Sequence, residues 1–348
     1  MTTEIFKAKP KINLKHGVVE MNHGAGGRAT HQLVEQLFMP AFDNPWLAQA
    51  QDQASFQVEP SRLVMTTDSH VISPLFFPGG DIGSLAVYGT INDIAMAGAK
   101  PLYLSASFIL EEGFALRELQ KIVLSMAKAA REAHVAVITG DTKVVEKGKG
   151  DGVFITTTGI GAVPQHVNIT HKLSPEDKII LSGFIGDHGI AVMSQRQNLQ
   201  FNTDLISDSA PLHELTKTMF EAVPHLNCLR DPTRGGLAGT LNEWANHYDV
   251  GFFIDENAIP VRDAVRGACE LLGLDPLYVA NEGKLVTVCS ASDAEKVLIA
   301  MKAHPLGKQA AVIGEVIADS NCFVQMKTIF GGTRIVDWLT GDQLPRIC

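Results

Sequence analysis

Apolar residues recur with a helical period over 114–133, where Leu119, Ile122, Val123 and Met126 are expected to share one inward stripe. A shorter stripe, Leu33, Val34, Leu37 and Phe38, predicts a helix over 28–39. Elsewhere the apolar runs have strand length: 62–67, 102–109, 135–139 and 152–163. Residues 40–60 read as loop, punctuated by Pro40, Pro45 and Pro60. Pro164 and Pro175 mark a break at 164–176, after which the alternation resumes. Strands are expected at 178–182, 251–254, 284–289, 311–318 and 322–327, and helices at 189–198, 236–247, 261–272 and 292–303. Two successive mixed blocks predict a two-domain α/β (α+β) fold. Its expected parts are a flexible leader (1–22), an N-terminal domain (23–165), a C-terminal α/β domain (166–330) and a mobile tail (331–348).

Composition narrows the function classes. A chain of 348 residues exceeds one ordinary core. With 45% hydrophobic and 19% charged residues it is globular rather than disordered. A net charge of −9 and a pI near 5.7 offer no basic face for nucleic acid. Lys7, Lys9, Lys11 and Lys15 read as a solvated leader. No apolar run is long enough to span a bilayer, and no signal peptide is apparent. Cys228, Cys269, Cys289, Cys322 and Cys348 form no CxxC pair, which points to free thiols and a cytoplasmic location. Cys289 and Cys322 sit in apolar runs and are expected in the core.

Candidate chemistry lies in five places. Asp68, Asp93 and Asp141 stand at strand ends or beside glycine-rich turns, where carboxylates suit Mg²⁺ shared with phosphates; singly, each reads as a cap or turn residue. The loop His23–Gly24–Ala25–Gly26–Gly27 precedes a helix and could hold an anion on bare backbone, but no Walker A sequence accompanies it. Asp231–Pro232–Thr233–Arg234–Gly235–Gly236 opens another helix. Glu282, in Asn281–Glu282–Gly283–Lys284, reads as an exposed turn glutamate or, if buried, as a general base. The chain ends on Cys348, and Gly331 and Gly332 open a stretch of 18 residues that could reach about 60 Å when extended. Such a thiol is either accidental or a carrier.

These segments, with Gly140–Asp141–Thr142–Lys143 and Gly186–Asp187–His188–Gly189, together resemble the aminoimidazole-ribonucleotide-synthetase-like (PurM and selenophosphate synthetase) ATPases. The ending Pro345–Arg346–Ile347–Cys348 narrows the resemblance to the branch that serves hydrogenase maturation as carbamoyl dehydratases. The resemblance runs from about His23 to Cys348 and implies a PurM-like fold whose N-terminal sheets pair in a homodimer, with ATP near that interface. It implies that HypF loads a carbamoyl group onto Cys348, that ATP and Mg²⁺ drive its dehydration to a thiocyanate, and that the cyanide passes to iron on HypC–HypD. By position it assigns Mg²⁺ to Asp68, Asp93, Asp141 and Asp231. Nucleotide contacts fall to Gly24, Gly26, Gly27, Asp81, Asn92, Thr142 and Arg234 besides those aspartates. Catalysis falls to Lys143, Glu282 and Cys348. Ala25 stands where the family often has Ser, so no hydroxyl contact is expected there. Rival readings are a selenophosphate synthetase, which would carry a Cys or selenocysteine in the glycine loop, a thiamine-phosphate kinase, and a non-catalytic carrier.

Overall fold

The computed structural model describes residues 27–33, 35–36, 54–58, 61–196, 205–341 and 346–348. The expected leader, and most of the stripe Leu33–Val34–Leu37–Phe38 with its side chains, lie outside them. Helix α1 is Arg28–Leu33. Strands β1 (Ala54–Val58), β2 (Ser61–His70), β5 (Lys100–Glu111), β6 (Ala136–Val145) and β7 (Val153–Val163) form a sheet of order β1-β2-β7-β5-β6, antiparallel except for β5 and β6. The short strands β3 (Phe76–Phe77) and β4 (Gly80–Asp81) pair in between. The expected loop at 40–60 thus contains a strand, because β1 lies antiparallel on β2 with Ala54 opposite Met65.

Helices α2 (Ile82–Met96) and α3 (Leu116–Glu132) cover one face of this sheet. In α3 the inward stripe is Ile122, Met126, Ala129 and Ala130, whereas Val123 is 44% exposed, a correction of one position in the expected stripe. Helix α2 carries no sequence periodicity because nothing about it is amphipathic: every residue except Asp93 is buried. One side packs on β2 and β7 and another on the C-terminal domain, where Ile94 and Met96 share a core with Leu215, Met219 and Phe220.

The second sheet has the order β11-β13-β9-β14-β12-β15-β16, built from β9 (Lys178–Leu181), β11 (Cys228–Arg230), β12 (Gly251–Asp255), β13 (Val286–Cys289), β14 (Ala311–Ile317), β15 (Val324–Lys327) and β16 (Thr333–Ile335). A separate parallel pair joins β8 (Asn168–Ile169) and β10 (His225–Leu226). Its helices are α4 (Asp187–Arg196), α5 (His213–Ala222), α6 (Gly236–Tyr248), α7 (Asp263–Leu272) and α8 (Ala294–Ala303). Cys289 is buried as expected, but Cys322 is only half-buried, in a turn with φ of 55° before β15. The expected tail also begins later than Gly331. Strand β16 pairs with β15, Val336 and Leu339 are buried, and the Asn242 side chain donates to the Val336 carbonyl at 3.0 Å.

Candidate active site

The last three residues return to the body of the protein. Val71 N–H donates to the Cys348 main-chain oxygen at 2.9 Å and Ser73 N–H to the Arg346 carbonyl at 3.1 Å, with Ile347 bridged antiparallel to Ile72. Ile347 is 3% exposed and joins the core between the two domains. This brings the Cys348 sulfur within 3.1 Å of Arg234 Nη1. Burial pushes the Cys348 thiol up to about 12; Arg234 opposes that shift, while Glu282 and Asp68 add to it. Docked, it is a neutral thiol at physiological pH. Arg234 keeps its charged form, favoured first by its contact with Cys348, most strongly when that thiol ionises, and then by Asp68. Its turn continues through Gly235 and Gly236, both at positive φ, and a Cβ on Gly236 would lie 2.4 Å from the Leu277 carbonyl oxygen.

Glu282 is not an exposed turn residue; it is 3% exposed. Its neighbours fix it through the backbone. Asn281 donates to the Pro232 carbonyl at 2.8 Å and accepts from Gly186 N–H at 2.7 Å. Glu282 N–H donates to Asp208 at 3.1 Å, and its carbonyl accepts from Asn92 at 3.1 Å. Asp208, its side chain also buried, is held ionised against its desolvation by Lys284, 3.1 Å away. Gly283 admits no side chain, since a Cβ would lie 1.7 Å from the Asp208 carbonyl oxygen. Among the described residues Glu282 Oε1 has no hydrogen-bond partner. Burial, then Asp231, Asp68 and Asp208, raise this carboxyl well above the usual carboxylate range.

The aspartates divide. Asp68 and His70 project from the α2 side of β2, 3.3 Å apart, and α2 can approach them because Gly89 has no Cβ. Burial keeps His70 neutral, with Asp68 opposing. Asp231 is buried beside Glu282. Asp93, the one residue of α2 that is only half-buried, accepts from the Thr66 hydroxyl at 2.6 Å. Asp141, Thr142 and Lys143 have side chains outside the described residues, but their backbone lies on edge strand β6. That is three strand spacings from β2, about 14 Å. The expected four-aspartate metal site is therefore not assembled on one chain, and no three acidic, histidine or cysteine side chains among the described residues form a metal cage. Mg²⁺ on a nucleotide needs only one or two carboxylates, the phosphates and water completing its shell. The crowded Asp68, Asp231 and Glu282, with one orphaned oxygen, fit such a cation.

Three other expected nucleotide contacts also carry structural tasks. Asn92 spends its amide on the Ala210 and Glu282 carbonyls and on Leu212 N–H, tying α2 to the Glu282 turn. Asp81 is the N-cap of α2, its Oδ1 accepting from Gly83 and Ser84 N–H. Gly27 abuts Leu339, where a Cβ would lie 2.4 Å from the carbonyl oxygen. Gly24 and Gly26 lie outside the described residues. Sequence reasoning missed His70, Asp208 and Arg196. Of these only His70 left a signal, two residues beyond Asp68 on the same strand face.

The AIR synthase related N-terminal domain matches residues 50–163, and the corresponding C-terminal domain matches 174–327. Carbamoyl dehydratase HypE of Azotobacter vinelandii is 63% identical over 97% of this chain and 99% of its own. The chain belongs to the HypE family of AIR synthase related proteins. HypE solved in complex with ATP superposes with a TM-score of 0.78 at 46% identity, covering 95% of this chain and 100% of that one. HypE in a HypE–HypF complex gives 0.83 at 49% identity, covering 88% and 99%. The HypE fold accounts for the two mixed domains expected from the sequence, and the buried Glu282 lies in the field of exposed Arg234 and half-buried Cys348 where those domains join.

Proposed function

We propose that this chain is an ATP-dependent carbamoyl dehydratase acting on its own Cys348, and that it supplies the cyanide ligand of [NiFe]-hydrogenase iron. The observation that carries the reading is the sulfur of Cys348 docked beside Arg234, in the field of a buried glutamate with an unpartnered oxygen. A passive carrier needs no such pairing.

The net step is R–S–C(=O)NH₂ plus ATP to R–S–C≡N, ADP and phosphate. The carbon–oxygen bond breaks, the oxygen leaves as phosphate after phosphorylation of the amide oxygen, and the nitrogen loses two protons. ATP with Mg²⁺ supplies the electrophilic phosphorus and the counter-charge. Asp68, Asp93 and Asp231 are the carboxylates on this chain that would hold the cation. Arg234 orients the sulfur and the carbamoyl group beside it. Glu282 stays protonated while the charges of Asp231 and Asp68 bear on it; once a bound cation offsets them it becomes a carboxylate and takes a nitrogen proton. Lys143 and Asp141 serve the same chemistry across a homodimer. Met65, Ile160 and Tyr103 stand in register across β2, β7 and β5 on the sheet face opposite α2, and Met65 and Tyr103 are exposed. Pairing that face with a second copy would carry β6 of one subunit toward the partner's site.

HypF is the loading enzyme and HypC–HypD the acceptor in this reading. Incubation with HypF, carbamoyl phosphate and ATP should add a carbamoyl group to the C-terminal peptide, followed by loss of one water. Lys143→Ala and Glu282→Gln should load normally and keep the water. Water loss undiminished in both variants would remove Lys143 and Glu282 from the chemistry, and an adduct that never loses water would leave the chain as a carrier only.

A further inference from the structure

Every carbonyl of residues 346–348 has a donor from the protein body, and two of those donors are side chains of one helix. Arg196, at the end of α4, gives Nη2 to the Arg346 carbonyl and Nε to the Ser73 carbonyl, each at 2.7 Å. It thereby clamps the tail to the segment it pairs with. His188, in the first turn of α4, is fully buried and places Nε2 2.8 Å from the Ile347 carbonyl. The Ile347 carbonyl can only accept, so Nε2 carries a hydrogen, and in the neutral ring Nδ1 accepts from the Ser207 hydroxyl 2.8 Å away, whose oxygen also accepts from Ser209 N–H at 3.1 Å. That fixes the neutral tautomer with its hydrogen on Nε2, aimed at the tail. Arg346 sits at φ of 56°, a left-handed conformation that a residue other than glycine keeps only when held.

We propose that His188 and Arg196 are positioning residues that latch the backbone of Arg346 and Ile347, setting the Cys348 sulfur beside Arg234 and within reach of Glu282, and that opening this latch presents the thiol for loading. The latch grips main-chain carbonyls and leaves the sulfur untouched, so it acts alike on a free and a loaded tail. The purpose of opening rests on the dehydratase reading; the latch itself does not.

The test is iodoacetamide alkylation of the full chain, followed by peptide mass for each cysteine. Half-buried Cys322 is the internal reference, and buried Cys228, Cys269 and Cys289 report any general loosening. Arg196→Ala removes a charged donor and should speed Cys348 labelling about tenfold or more. His188→Asn keeps an amide near Ser207 but withdraws the donor from Ile347, and should speed it about three- to tenfold. Arg196→Lys and His188→Gln retain a donor within reach and should stay near the wild-type rate. An unchanged Cys348 rate in both Arg196→Ala and His188→Asn overturns the proposal. So does a rise in Arg196→Ala that the three buried cysteines share. Alkylation involves neither ATP nor HypF, so a latch that fails here leaves the dehydratase reading intact. A latch that holds while loaded wild-type chain never loses water would sink the dehydratase reading alone.

Discussion

Glu282 shows how burial converts an ordinary residue into a reactive one. Its carboxyl has no described partner at Oε1 and faces other acids, so the folded state favours the protonated form. The folded pKa lies above the ordinary 4.5. The stability that the protonated group provides is therefore complete below about pH 4.5 and is lost as pH rises through its elevated value. Glu282→Gln, which cannot ionise, should match wild type near pH 4.5 and become progressively more stable than it toward pH 8. Urea midpoints across that range measure the difference; a constant gap would show that Glu282 titrates normally. The same substitution should abolish water loss, separating stability from function.

At the scale of elements, α2 is the joint of the molecule. It covers the first sheet, shares a core with α5, and reaches the Glu282 turn through Asn92. Asn92→Ala would strand the Leu212 N–H and the carbonyls of Ala210 and Glu282 in a buried setting. The expected loss is about 3 kcal/mol in a urea melt, with dehydration falling because the Glu282 turn loosens. A loss below about 1 kcal/mol would mean that water or a shifted neighbour replaces the amide. The tail is a second element-scale device. Strand β16, Val336 and Leu339 are packed on the body, so release of residues 346–348 would give the sulfur a reach of about 30 Å from Leu339 rather than 60 Å from Gly331.

For the molecule as a whole, the exposed row on the open sheet face is the clearest unfinished surface. Met65 at 43% and Tyr103 at 48% exposure are large apolar groups with no role inside one chain, so charging them should leave the protomer folded. The double variant Met65→Asp and Tyr103→Asp should sediment near 37.5 kDa while wild type sediments near twice that mass. An unchanged dimer in the variant would place the interface elsewhere and remove the route by which Lys143 serves a partner's site.

Local pattern determined a good deal. The β2, β5 and β7 strands, the amphipathic α3 and most of the C-terminal elements follow from period and turn residues, because each has one wet face. The short motifs around Asp68, Asp231, Glu282 and Cys348 were legible as chemistry because their residue types are unusual in ordinary turns. Helix α2 was not legible, since a helix buried on every side has no stripe to read, and the structural tasks of Asp81 as a cap and Asn92 as an interdomain tie were not legible either, because both have the polar signature of a ligand. What only the tertiary structure decided is proximity. The dry pocket that turns Glu282 into a neutral acid, the His188–Arg196 grip on the tail, and the remoteness of Asp141 from Asp68 all join segments far apart in the chain. Desolvation and Coulomb interaction depend on that spatial arrangement, which local sequence pattern does not carry.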